Sequence, residues 1–566
     1  MEKRVFLAIL LSFVVLAGYQ AMFPPVQPQP AEAGAPVTQE PAGSASASTP
    51  EAGAAPTGPS PVPLVADAAA RDIVVETDAI RAVFSTAGAT LKSWQLKRYL
   101  EQGTPLELLP TDLPANVPRH FAISTADPVL SRALATALYR PSAEQLTLGG
   151  EPGQLTFEYR DEAGLSARKT FYFQPEGKPY LLKVEAAVDQ AGASRPVTVS
   201  SGAGIGEGLV EGGFYHVPVR AVRHLSGDVE HLAADDLAEQ SRFEGDLRFA
   251  GVDDQYFLFA VLPGSERVSV EYRPVSIPAT TPDGMARALM SFDVAAPGPF
   301  ALPFYIGPKE FDTLRAVDAR LELVRAIDFG FFSPIVVPLL IALKWVHGFV
   351  GNWGWAIIVL TLLINIIIFP LRHRSMVSMK KMQALQPEVK AIQERYAKFK
   401  VTDPERQKMN QEMMGLYKQR GVNPVAGCIP MLLTMPVLFA FYAMLSASIE
   451  LRDAPFVGWI SDLSRHDPWY VTPVLMGLSM LWQQKMMPTT ADPIQQKVFL
   501  MMPVIFTVSF LWAPSGLVLY WFTSNLLAIG QQYLTNRMIA APVAVPGRSA
   551  AARRSRAGRT GGPSQS

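Results

Sequence analysis

The chain of 566 residues carries 50 Lys and Arg against 50 Asp and Glu, so bulk charge points neither toward nor away from an acidic partner. One cysteine, Cys428, excludes an intrachain disulfide, so any exported domain must be held together by its own core. Hydrophobic residues make up 49% of the chain but concentrate at the extreme N-terminus and beyond residue 330, which excludes a uniformly soluble protein.

Residues 5–23, VFLAILLSFVVLAGYQAMF, form an uncharged run of membrane-spanning length behind Lys3 and Arg4. The run is longer than a signal-peptide core and is followed by Pro24-Pro25, so the expectation for 1–23 is a retained transmembrane anchor with its N-terminus in the cytoplasm. Residues 24–70 are rich in Pro, Ala, Gly and Ser and lack the bulky apolar groups that repay ordering entropy, which predicts a disordered tether.

From 71 to 308 the hydrophobic period becomes two. DIVVET, AIRAVFS, QLTFEYR, ARKTFYFQ, YLLKVEAAV, RVSVEYR and ARALMSFDV alternate between Gly, Pro and Asp breakers, the pattern of a large β-sandwich. KEFDTLRAVDARLELVRAI, 309–327, predicts an amphipathic connecting helix. Residues 330–351, interrupted by Pro334, Pro338, Lys344 and His347, predict a helix lying in the membrane interface.

Five further spans are predicted at 353–371, 425–447, 469–484, 498–512 and 516–534, giving six transmembrane α-helices with the anchor. The connection 372–424 holds twelve Lys or Arg against five Asp or Glu, residues 450–468 hold two against four, and 535–566 hold six Arg and no acid. Positive segments all fall inside if both termini are cytoplasmic, which puts the β-domain outside, in the periplasm of a cell with two membranes.

No triad, phosphate loop or metal-ligand spacing stands out, so no catalytic residue, metal or cofactor is expected. His216, His224 and His231 lie close in sequence but read as surface loop residues. The informative residues are polar groups inside spans: Asn365, Thr434, Gln483, Gln484, Ser524 and Asn525. Each is costly against lipid and must face another helix or water, so several spans contributing at once suggest a shared hydrophilic groove. Between spans, Met376, Met379, Met382, Leu385, Val389, Ile392, Tyr396 and Phe399 recur at helical spacing. After Asp403-Pro404, Met409, Met413 and Leu416 begin a second such face, so 372–424 predicts a cytoplasmic helical hairpin. Its methionines suit either mutual packing or varied apolar clients.

NWGWAIIVLTLLINIIIFPLR, SMKKMQALQPEV, QEMMGLYKQRGVNPVAGCIPMLLTMP, LRDAPFVGWISDLS and QQKMMPTTADPIQQKVFLMMPVIFTVSFLWAPSGLVLYWFTSN resemble, in order and with few gaps, the YidC membrane protein insertases over residues 329–538. The anchor, tether and β-domain resemble the long form of bacteria with two membranes, whose periplasmic domain is a β-supersandwich. The resemblance implies a five-helix insertase core at 352–538 with a groove open to cytoplasm and lipid, working without ATP, as a chaperone and insertase rather than an enzyme. It implies nascent membrane proteins as clients, the Sec translocon as a partner, and the ribosome and signal recognition pathway as candidate partners, with no nucleic acid substrate.

Tyr520 and Trp521 match the family's aromatic pair where client segments are thought to pass. One departure stands out: the family commonly carries a basic side chain at the position of Asn365, and an amide attracts no acidic tail as a point charge does. Arg372 and Arg374 lie two or more turns further on. The competing classes are a secondary transporter, weakened by the absence of an intramembrane ionisable residue, and a carbohydrate-active β-domain. The arginines of the C-terminal tail, Arg548, Arg553, Arg554, Arg556 and Arg559, suit topology setting or contact with ribosomal RNA or anionic lipid.

Overall fold

The computed structural model describes residues 62–538, apart from 102, 112, 115–116, 175–176, 207–216, 265, 278–286, 400–402, 424–428 and 487–492, and leaves the side chains of 429–433 and 493–499 undescribed. The predicted anchor, most of the tether, His216, Cys428 and the basic tail lie outside the described residues.

Alternating burial builds the β-domain. In strand Leu165–Phe173 the odd-numbered residues Leu165, Ala167, Phe171 and Phe173 are all buried, as one face of a pleated strand requires. The strands assemble into sheets of eleven, five and five strands among the described residues. The large sheet is antiparallel, with Leu165–Phe173 between Gly153–Asp161 and Leu181–Gln190. Both small sheets rest against it through aromatic contacts: Phe84 meets Phe171 at 4.7 Å and Phe292 meets Phe259 at 5.4 Å. Helix α1, Pro128–Thr136, is capped by Asp127, whose carboxylate accepts from Val129 and Leu130 N–H. The domain begins earlier than the composition suggested: Pro63–Val65 pairs with Gly153–Asp161, inside the stretch assigned to the tether.

Two buried polar side chains test this core. The Lys169 ammonium donates to the carbonyls of Gly88, Ala89 and Phe121 at 2.7, 3.1 and 2.7 Å, and burial brings its pKa down to about 7. His120 donates from Nδ1 to the Ser201 carbonyl, while its Nε2 is buried without a partner among the described residues.

The segment after strand Phe300–Pro308 corrects the predicted connecting helix. Only α2, Phe311–Val317, and a 3-10 turn at Leu323–Ala326 are helical. The Asp318 carboxylate accepts the Arg320 N–H at 2.8 Å, a local bond that competes with helix continuation, and Glu322 sits in the left-handed region at φ 52°. Leu314, Val317, Leu321, Leu323 and Ala326 are nevertheless buried, so the segment lies along the domain as a strap. Asp253 and Lys309 form a buried ion pair at 2.8 Å where the strap begins. Burial alone would raise the Asp253 carboxyl, but Lys309, His231 and Arg220 outweigh it and hold it down to about 2.

His224 and His231 are also placed differently from the surface-loop expectation. They stand on paired strands, Arg220–Leu225 and Asp228–Leu232. His224 is buried against the Leu321 carbonyl at 3.4 Å. No group of three or more His, Cys, Asp or Glu suited to a metal exists among the described residues.

Helix α3, Ser333–Val350, is continuous. Pro334 falls in its first turn, where no N–H partner is lost, and Gly351 closes it at φ 71° with an N–H to the His347 carbonyl at 2.7 Å. Asn352 then caps α4, Trp353–Ala384, by accepting from Trp355 N–H at 3.1 Å. At 1.5 Å per residue, α4 is roughly 48 Å long, well beyond the hydrocarbon thickness, so the predicted span and the start of the following basic segment form one helix. Helix α5, Gln386–Arg395, follows with Pro387 in its first turn, a break additional to the predicted one at Asp403-Pro404, where Asp403 caps the next helix by accepting from Glu405 N–H at 3.1 Å. Helices α6, Pro404–Gln419, α7, Ile429–Ala447, α8, Val471–Met486, α9, Pro493–Ser509, and α10, Ser515–Met538, follow. Among the described residues, two helical stretches, Gly330–Val350 and Trp353–Ala384, are long and apolar enough to cross a membrane, and Thr434–Ala447 and Leu500–Ser509 are shorter apolar helices. Buried apolar residues run without a break from the sheets through the strap into α3, α4, α7 and α10.

Burial lowers the His120 pKa from 6.5 to about 4, so the folded state favours the neutral ring. Its contribution is therefore full above pH 6.5 and lost as pH falls toward 4, a change on the order of 3 kcal/mol. Thermal unfolding of the full chain between pH 7 and 4 should show this loss in the β-domain transition, and His120→Gln should flatten it.

Candidate functional site

The polar residues of the apolar helices meet in pairs across helix boundaries. On α4, the Asn365 amide donates to the Thr361 carbonyl one turn back at 2.8 Å, which leaves its oxygen free to accept. Arg372, two turns further along the same helix, folds its guanidinium back over that oxygen at 2.7 Å. Its second nitrogen donates to the Thr434 hydroxyl of α7 at 3.0 Å. The cation thus joins two predicted site residues on two helices, and no carboxylate pairs with it among the described residues. The planar fork makes this bridge possible, because its donors are held in fixed relative directions.

Tyr520 of α10 is buried and stacks on Phe441 of α7 at 4.1 Å, and it lies within electrostatic range of Arg372. Its neighbour Trp521 is half-buried and turns instead to Phe506 and Phe510, at 5.2 and 4.8 Å. The predicted aromatic pair therefore serves two different contacts.

A second polar link joins α10 to α8, where Asn525 donates to the Ser479 hydroxyl at 3.0 Å, with Ser524 buried beside it. A third joins α10 to the end of α4: Gln531 donates to the Phe369 carbonyl at 3.2 Å and His373 pairs with Thr535 at 3.2 Å. Gln483 and Gln484 are half-buried on α8. Ser479, Gln531, Gln532 and Thr535 are buried polar residues that the sequence reading passed over. Their signal was available, since Ser524, Gln531 and Thr535 recur at spacings of seven and four on one face of α10. Gly477 brings α8 and α9 together, because a Cβ there would lie 1.9 Å from the Thr507 hydroxyl oxygen.

Helices α5 and α6 run antiparallel, tied by Arg395 to Glu412 at 2.6 Å and by Arg420 to Glu388 at 2.9 Å. Val389, Ile392 and Met409 are buried, and Met376, Met379, Met382 and Met413 are half-buried, while Met414 is exposed. The methionine faces are thus largely occupied by intramolecular packing, with surface left for adaptable contact.

These features define a class: a protein of apolar helices with a polar seam between them, carrying a large β-rich domain. Residues 72–342 match the model of the YidC periplasmic domain and residues 345–542 match that of the 60Kd inner membrane protein. Proteins named membrane protein insertase YidC are similar over nearly the whole chain. The one from Geobacter metallireducens is 38% identical over 96% of this chain and 99% of its own. That from Geotalea daltonii is 35% identical over 96% and 100%, and that from Geobacter sulfurreducens 37% over 95% and 99%. The chain belongs to the YidC family of membrane protein insertases, inner-membrane proteins with a periplasmic domain.

If the Arg372 bridge holds α4 to α7, then Arg372→Lys cannot replace it, since one ammonium does not present the paired donors that reach both Asn365 and Thr434. Arg372→Lys and Arg372→Met should each lower the detergent-solubilised protein's unfolding free energy by about 1–3 kcal/mol, measured by thermal unfolding.

Proposed function

We propose that this chain inserts membrane proteins through a hydrophilic groove lined by Asn365, Arg372, Thr434, Gln483, Gln484, Ser524 and Asn525, open to the cytoplasm and to lipid. In this reading six spans cross the inner membrane, both termini are cytoplasmic, α5 and α6 form a cytoplasmic hairpin that receives clients, and α3 lies in the outer interface. The observation that carries the groove is the Arg372 guanidinium, held between α4 and α7 by neutral oxygens and lacking a carboxylate partner among the described residues. A charge so placed keeps water near it and attracts an acidic or polar client tail, so the tail enters without losing all its hydration. The client's apolar segment meanwhile moves into lipid, and each buried CH2 contributes about 0.8 kcal/mol. Tyr520 and Trp521 flank that path, and no nucleotide hydrolysis is required.

Arg372 thereby takes the electrostatic part that Asn365 lacks. The Sec translocon, the ribosome and the signal recognition pathway fit as partners of the same reading, the basic tail supplying the ribosome contact.

The test is insertion of a newly made two-span client in cells depleted of the wild-type chain, followed by protease accessibility of its external loop. Arg372→Met should cut insertion about tenfold, equivalent to about 1.4 kcal/mol, for a client whose translocated tail carries Asp or Glu, and much less when the tail is neutral. Equal loss for both tails would reduce Arg372 to a structural brace. Deleting residues 539–566 should lower ribosome co-sedimentation at low salt, and unchanged co-sedimentation would remove the tail from the proposal.

A further inference from the structure

A cleft of about 530 Å3 opens where the β-domain meets the helices, lined among others by Arg98, Tyr99, Glu310, Glu450, Arg452 and Asp453. Glu450 follows the end of α7 and is almost wholly buried. One carboxylate oxygen accepts from Lys344 and from the Phe311 N–H, both at 3.2 Å. The other oxygen is buried and has no hydrogen-bond partner among the described residues. A carboxylate oxygen left bare in that setting costs free energy unless a donor arrives. Beside it, Arg452 is positioned over the Tyr256 and Phe257 rings at 5.7 and 5.6 Å and pairs with Asp453 at 3.6 Å, so its guanidinium is fixed at the cleft wall. Arg98 is exposed at the rim, and Leu100, half exposed, offers an apolar lip.

The cleft therefore presents both signs of charge within one ligand-sized space. A phosphate alone would meet the carboxylates of Glu450 and Asp453, and a lone metal ion lacks a ligand set, since no group of three metal-competent side chains exists among the described residues. A group carrying an ammonium and a phosphate a few bonds apart satisfies both signs: the ammonium pairs with Asp453, exposed on the cleft wall, and donates toward Glu450, while the phosphate pairs with Arg98 and Arg452. Trp345, exposed next to Lys344 on α3, is the kind of residue that sits at headgroup level.

We propose that this cleft binds the headgroup of an outer-leaflet phosphatidylethanolamine and so seats the β-domain on a lipid. The inference does not depend on the client groove, and rests on the topology proposed above only for the leaflet. Phosphatidylcholine shares the phosphate but has no N–H, so it serves as the discriminating control.

The full-length protein would be reconstituted in bilayers with equal parts phosphatidylethanolamine, phosphatidylcholine and phosphatidylglycerol, extracted in mild detergent, and its retained lipid quantified by mass spectrometry. Phosphatidylethanolamine should be enriched about threefold or more over the other two. Arg98→Ala and Asp453→Asn, neither of which is buried in the core, should each bring the ratio toward one without changing thermal unfolding. Soluble glycerophosphoethanolamine at millimolar concentration should lower the enrichment, and glycerophosphocholine should not. Equal retention of the three lipids overturns the proposal, as does enrichment that survives both substitutions. Enrichment indifferent to both soluble headgroups places the lipid on the helix surface and also overturns it.

Discussion

The membrane half depends on one constraint: a charge among apolar helices must be held by partners that do not cancel it. Arg372 meets that constraint with Asn365 and Thr434, two neutral oxygens on two helices, rather than with a carboxylate. A carboxylate would give a closed ion pair, whereas neutral acceptors orient the guanidinium without cancelling its charge. The remaining polar links, Asn525 to Ser479 and Gln531 to the Phe369 carbonyl, fix α10 against α8 and α4.

The outer half also gives its buried charges partners, but there some are opposite in sign. Lys169 is surrounded by three carbonyls, and Asp253 by Lys309, Arg220 and His231. These charges sit within a rigid aromatic core and serve the fold. At the junction, Gln255 donates to the Ser446 carbonyl at 2.7 Å, and Lys344 bridges Asp312 and Glu450, so the β-domain is docked on the helices.

Much of this was legible in sequence where periodicity decides the outcome. The alternation in ARKTFYFQ and YLLKVEAAV yielded paired strands, and the polar interruptions at Asn365, Thr434 and Asn525 marked helix contacts. What escaped depends on local competition or reach. The strap at 309–327 has a helical apolar pattern, yet the Asp318 turn and the left-handed Glu322 interrupt it. Pro387 broke the hairpin's first arm early because a proline in a first turn starts a new helix as readily as it ends one. Whether Arg372 could reach back two turns to Asn365 depended on a side-chain rotamer, and no spacing rule fixes that. His224 and His231 looked like loop residues because the strands flanking the turn are short.

The proposal that the seam around Arg372 is wet and reached by water from the cytoplasmic side and not from the outer side is most directly tested by solvent access. Thr434→Cys in an otherwise cysteine-free chain, with Cys428 replaced by Ser, would be treated with a membrane-impermeant maleimide in inverted and in right-side-out vesicles. Labelling is expected in inverted vesicles and none in right-side-out vesicles. Labelling from the outer face, or protection in both orientations, would contradict it.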